Sequence, residues 1–217
     1  MAQRNVHRMQ WALLGLAAAA VAFLAWRNDA AVFENKGRLA ITVEDDEAVL
    51  TWTSAIDVPM ARRIEEAYDS LRDEVNVFRV VLHSPGGSIL EGRDVINLLS
   101  AMGKTHDVIT VVPSGAECAS MCVPIFLAGE ERIAGRQAAF MFHEPSLRDL
   151  LSGQKERRPR FEEKRTTDKF VQRYFEASPM DPAWREALVK NWQGQDIWKS
   201  GADLVAENSG VVTVLIE

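Results

Sequence analysis

Two short apolar runs, Val77–Leu82 (VFRVVL) and Val108–Val112 (VITVV), constrain the fold more than any other feature of this chain. Both are mainly apolar and too short for an ordinary helix, so each reads as a buried strand. Each ends abruptly, the first at Ser84-Pro85-Gly86-Gly87-Ser88 and the second at Pro113-Ser114-Gly115. Between them, residues 89–102 set Ile89, Val95, Ile96 and Leu99 on or near one helical face. Strand, helix and strand in short succession point to a parallel sheet with helices packed on it. The remaining periodicities extend the pattern. Arg38–Val43, Ala48–Trp52, Ala138–Phe142 and Val211–Ile216 read as strands. Pro59 suits the start of a helix over Met60–Arg72, and Ser120–Leu127 reads as a helix ended by Gly129. Lys169–Phe175 and Ala183–Trp192 also look helical. The expected fold class is therefore α/β, a parallel β-sheet core with flanking helices. Residues 146–167 are charged and offer little to bury, which fits either an exposed mobile insertion or a solvated helix face.

The first residues follow another rule. Arg4, His7 and Arg8 make a basic segment over residues 1–8, and residues 9–26 then carry no charge until Trp26. Positive residues before an apolar run are the layout of an export signal or a signal anchor. Trp11 and Trp26 bracket the run as interfacial anchors would. Small-residue triplets at Ala18–Ala20 and Ala20–Ala22 fall inside the run, so cutting there would leave Phe23, Leu24 and Trp26 on the new terminus. An uncleaved transmembrane anchor is the favoured reading over a cleaved signal or an Ala-rich core helix. Residues 27–36 then form a polar linker, and 37–217 one exported domain. With 217 residues the chain has material for one sizeable core. It carries 25 Lys and Arg against 31 Asp and Glu, with no basic face, which argues against a nucleic-acid partner. The bacterial inner membrane, with the domain in the periplasm, is the simplest location.

Each buried strand end delivers a polar device. Gly86 and Gly87 leave backbone amides uncovered at a turn that can bind an oxyanion, although a tight strand-to-helix turn needs the same residues. Ser120 falls at a helix start among unpaired N–H donors, where Met121 N–H could add a second oxyanion donor. Taken alone, Ser120 reads equally as a cap or a small packing residue. His143 follows Ala138–Phe142, and Pro145 stops that strand. Three neighbouring parallel strands would bring Gly87, Ser120 and His143 to one sheet edge, where open α/β sheets bind ligands. The chain has only two cysteines, Cys118 and Cys122. At i and i+4 on a helix their Cα atoms would be about 6 Å apart, within disulfide range. A disulfide spanning Ser120 is favoured in an exported chain. Two buried thiols remain an alternative, as does a cysteine nucleophile or a metal site with His143, although two cysteines and one histidine make an incomplete zinc set.

SPGG, then GAECASM, then FMFHEP resembles the proteolytic subunit of the Clp protease, a serine peptidase of the ClpP/crotonase superfamily. The likeness is best over residues 77–143. It implies Ser120 as nucleophile, His143 as general base, and Gly86, Gly87 and Met121 around the oxyanion. It also implies an acid at Asp196, which opens DIWKSGADLVAENSGVV. Asp196 could instead cap a helix before Ile197, and Asp149, Asp168 and Asp181 compete for the role. The family implies a peptide or protein substrate, no cofactor and a homo-oligomer. The chain departs from the family in its exported N-terminus, the charged insertion, His83 before SPGG, and the two cysteines. An ATP-driven unfoldase is absent outside the cytoplasm, so the expected activity is an ATP-independent, membrane-tethered or periplasmic serine peptidase. The alternative is an inactive crotonase-fold scaffold. An acyl-CoA hydratase or thioesterase fits an exported chain poorly, and a Ser–Lys dyad of the signal peptide peptidase A type would have to use Lys104 or Lys169.

Overall fold

The computed structural model describes residues 39–145 and 160–217. The basic segment, the candidate anchor at 9–26, the linker and residues 146–159 lie outside the described residues. Among the described residues no helix is long and apolar enough to cross a membrane.

The chain opens with a hairpin, β1 (Leu39–Glu44) and β2 (Glu47–Trp52), turned at Asp45 with φ of 50°. Helix α1 (Met60–Leu71) leads to β3 (Val77–Leu82), and α2 (Ile89–Met102) leads to β4 (Asp107–Val112). Then come β5 (Glu117–Ala119), α3 (Cys122–Leu127), β6 (Glu131–Gly135) and β7 (Ala139–Phe142). Helix α4 (Arg160–Phe170) runs into a π-helical turn at Val171–Glu176, and α5 (Pro182–Trp192), β8 (Ile197–Ser200), α6 (Gly201–Ala206) and β9 (Val214–Ile216) complete the order.

Two sheets result. The larger has the order β1-β2-β3-β4-β6-β9 and is parallel apart from the β1–β2 hairpin. Its strands alternate: Leu50, Trp52, Phe78, Val80 and Leu82 are fully buried, while Val49, Arg79 and Val81 are half-buried. The runs that read as buried strands thus bury one face fully. That face belongs to the same core cluster as Met60, Ile64, Ala67 and Leu71 of α1 and Val95, Leu99 and Met102 of α2. At about 25 cal/mol per Å² of apolar area, this cluster supplies most of the drive to fold. The start of α2 is fixed twice. Ser88 Oγ accepts from Glu91 N–H at 3.2 Å, and the buried Glu91 carboxylate accepts from Ala61 N–H at 2.8 Å, tying α2 to the first turn of α1.

The smaller sheet, β5-β7-β8, corrects the expected layout. The helix expected over Ser120–Leu127 starts only at Cys122, and residues 117–119 before it pair in parallel with β7. Satisfied ladder bonds on this short segment override its weak helical pattern. β6, not β7, takes the place beside β4. Its sequence ERIAG hid it, because a buried Arg132 interrupts the apolar pattern. That side chain is accommodated by donating to the carbonyls of Gly129, Glu130, Gly210 and Val211. Residues 160–167 of the charged segment are helical.

Candidate active site

β3 does not stop cleanly at Leu82. Ser84 N–H donates to Glu117 O at 2.7 Å, and Ala119 N–H donates to Ser84 O at 2.9 Å. The first sheet is thereby stitched to the second at the turn where the glycines lie. Gly86 has φ of 88°, and a Cβ there would fall 2.6 Å from both Ala119 O and Ser120 Cβ. Only glycine allows so close an approach in that conformation. On the other side of the turn, Ile56 N–H donates to Gly86 O at 2.8 Å and Ser88 N–H donates to Ile56 O at 2.7 Å. Gly86 N–H donates to Ser84 Oγ at 3.2 Å, which commits that amide. Gly87 N–H has no acceptor among the described residues, and neither has Met121 N–H.

Ser120 occupies a sharp strand-to-helix turn with φ of 53°, a left-handed backbone that serine rarely adopts. Its N–H donates to Met141 O at 2.9 Å, and its carbonyl accepts from Val123 N–H at 3.1 Å. A disulfide joins Cys118 in β5 to Cys122 in α3, with Cα atoms 5.2 Å apart. The link therefore crosses from strand to helix over Ser120, rather than running along one helix. His83 Nδ1 accepts from Glu117 N–H at 2.9 Å and steadies the start of β5.

His143 leaves the end of β7. Its Nε2 is 2.6 Å from Ser120 Oγ, a good O–H···N hydrogen bond. β7 and β8 are antiparallel with Phe142 opposite Ile197, so the next step in register sets His143 opposite Asp196. Asp196 Oδ1 is 3.8 Å from His143 Nδ1, an electrostatic contact longer than a hydrogen bond, and the carboxylate is 59% exposed. Phe142, one residue before the histidine, packs edge-on against Phe175 and Trp184 and secures β7 from behind.

Ser120, His143, Gly86, Gly87, Met121 and Asp196 thus come together, but not from three neighbouring strands. The glycines leave the large sheet; the serine, histidine and aspartate leave the small one. Two competing acids are engaged elsewhere: Asp168 pairs with Lys164 at 2.9 Å, and Asp181 accepts from Trp184 N–H at 2.8 Å to cap α5. Asp149 lies outside the described residues. Lys104 sits with Asn76, His106 and Asp107 at the opposite end of β3 and β4, and Lys169 is exposed on α4. Among the described residues no group of three or more His, Cys, Asp or Glu could hold a metal ion. Sequence reasoning missed the stitching by Ser84, although its position beside two glycines was a signal. A serine oxygen bonded to a histidine, beside two uncommitted N–H groups, can attack a carbonyl and hold the resulting oxyanion.

The family model described as Clp protease matches residues 43–174, well over half of the chain. Among curated proteins none matches the chain in sequence. A solved variant of ClpP1 from Listeria monocytogenes superposes with a TM-score of 0.60 at 19% identity, covering 78% of this chain and 91% of that one. A variant of the membrane-bound stomatin-specific protease 1510-N superposes with a TM-score of 0.64 at 14% identity, covering 81% of each chain. At such identities the two structures share the fold.

Proposed function

The chain belongs to the Clp protease family and is a serine protease-type hydrolase, and from that premise we propose an ATP-independent peptidase that cleaves peptides or exposed segments of envelope proteins. The observation that carries the proposal is the 2.6 Å hydrogen bond from Ser120 to His143 at a strand-to-helix turn. In this reading His143 Nε2 takes the Ser120 proton as Oγ attacks the scissile carbonyl. The oxyanion is held by Gly87 N–H and Met121 N–H, each such donor contributing about 3 kcal/mol. Gly86, whose own N–H is committed to Ser84, contributes the close approach of the two turns. The protonated histidine gives its proton to the leaving amine, and a water then repeats the sequence on the acyl-enzyme. Asp196 faces Nδ1 and stabilises the imidazolium; catalytic contacts of this kind are often long without substrate and tighten with it. The proposal includes a homo-oligomer, tethered through residues 9–26 with its domain in the periplasm.

A fluorophosphonate probe tests the chemistry. Wild type is expected to be labelled on one serine, and Ser120→Ala not at all. Asp196→Asn should slow labelling about 10- to 100-fold, less than the roughly 10⁴-fold loss in kcat for a buried triad aspartate. Folded, oxidised wild type that takes up no label would sink the peptidase reading.

A further inference from the structure

Gly92 is the fourth residue of α2 and closes its first turn, with its N–H already bonded along the helix to Ser88 O. An interior helical glycine costs about 1 kcal/mol relative to alanine, so its presence needs a reason. The reason faces Met121. A Cβ at position 92 would lie 2.4 Å from Met121 Cγ, 2.6 Å from its Cε and 3.1 Å from its Sδ. Met121 is 1% exposed, so its side chain is enclosed by the core. The Cγ atom is only two bonds from Cα. Clearing the overlap therefore means turning χ1 inside a filled core or moving the Met121 backbone.

The α2 side is poorly able to yield. Ser88 and Glu91 fix its first turn, and Gly92 N–H itself donates to Ser88 O at 2.9 Å. That first turn also continues directly from Gly87, whose backbone is bridged to Ile56. One rigid piece of chain thus carries Gly87 N–H at one end and the seat of the Met121 side chain at the other.

We infer that Gly92 is a positioning residue: by admitting the Met121 side chain against α2, it sets the separation of the Gly87 and Met121 N–H groups that receive the oxyanion. This rests on the peptidase reading above. It assigns Gly92 no contact with substrate.

The test is a double-mutant cycle on the full chain, reading kcat, KM and the pH profile on a peptidyl 4-nitrophenyl ester. Gly92→Ala should lower kcat by about 10- to 100-fold, approaching the loss of one oxyanion donor, with KM within about twofold. The pH profile should not move, because His143 is untouched. In the double variant Gly92→Ala/Met121→Ala there is no long side chain to displace, so kcat should equal that of Met121→Ala within about twofold. Gly92→Ala with wild-type kcat overturns the inference. So does a double variant that loses a further tenfold beyond Met121→Ala, and this comparison still decides the matter if Gly92→Ala alone does not fold. A wild type with neither hydrolysis nor fluorophosphonate labelling overturns the peptidase reading and this inference together; an active wild type with an indifferent Gly92→Ala overturns this inference alone.

Discussion

Serine at position 120 is held where an L-residue is uncomfortable. At φ of 53° its Cβ crowds the backbone, a cost of about 1–2 kcal/mol that glycine escapes. The surroundings impose the conformation: Ser120 N–H is bound to Met141 O, its carbonyl is bound to Val123 N–H, and Gly86 lies so near that a Cβ there would fall 2.6 Å from Ser120 Cβ. The turn aims Oγ at His143 instead of into the core. Comparing two inactive variants isolates the backbone term. Ser120→Gly should be more stable than Ser120→Ala by about 1 kcal/mol, read from urea midpoints at constant m-value. Equal midpoints, or a more stable alanine variant, would show that the turn is not strained. The pairing of Ser120 with His143 was legible in the sequence from the strand ends of Gly87 and His143 together with the likeness to the Clp proteolytic subunit, since Ser120 alone read as well as a cap. The serine's backbone was not legible, since the left-handed turn is dictated by contacts with residues 84–86 and 141, which lie far off in sequence.

Among the elements, those with strong local periodicity were read closely. Val77–Leu82 and Ile89–Met102 have the expected bounds, and α1 ends one residue early at Leu71. What escaped were β5, β6, β8 and α6, all six residues or shorter and held by pairing with distant strands more than by their own pattern. β8 and α6 matter because they carry Asp196 to the site. Their junction is tied by a capping box, with Ser200 and Asp203 bonded reciprocally, and by Lys199 donating to Glu207, which also accepts from Trp184 Nε1 at 2.8 Å. The Lys199 hydrogen bond lowers the Glu207 carboxyl from its ordinary value, and hydrogen bonds from Ser200 lower Asp203. The unfolded chain therefore binds these protons more tightly. The stability from these contacts is complete above the ordinary carboxylate range, about pH 4.3, and is lost as pH falls through the lower folded values. Lys199→Met should accordingly lower the denaturation midpoint at pH 6 and leave it unchanged near pH 2. A midpoint insensitive to the substitution at both values would remove the contact from the account.

For the whole molecule, the proposed exported, tethered reading draws on two features far apart in sequence. Residues 9–26 are an uncharged run preceded by basic residues, and Cys118 and Cys122 are disulfide-linked across the nucleophile. Disulfides persist in oxidising compartments and are rare where thiol reductants dominate. Both cysteines are 0% exposed, so a reductant reaches the link only when the fold opens. The closed loop is short, and its entropic contribution is correspondingly small, about 2 kcal/mol. Joining β5 to α3 on either side of Ser120, the bridge should matter more to the site than to global stability. Cys118→Ala/Cys122→Ala is therefore expected to fold with a stability loss near that figure and to react with fluorophosphonate at least about tenfold more slowly. In cells whose thiols are trapped by alkylation before lysis, the wild-type chain should remain in the carbonate-washed membrane fraction with neither cysteine alkylated. Alkylation of both cysteines in a chain that washes free would reject the exported, tethered reading while leaving the Ser120–His143 chemistry to its own test. Labelling slowed by less than about threefold in the folded double variant would instead reject the brace, because a link that only adds stability leaves the reactivity of the folded site unchanged.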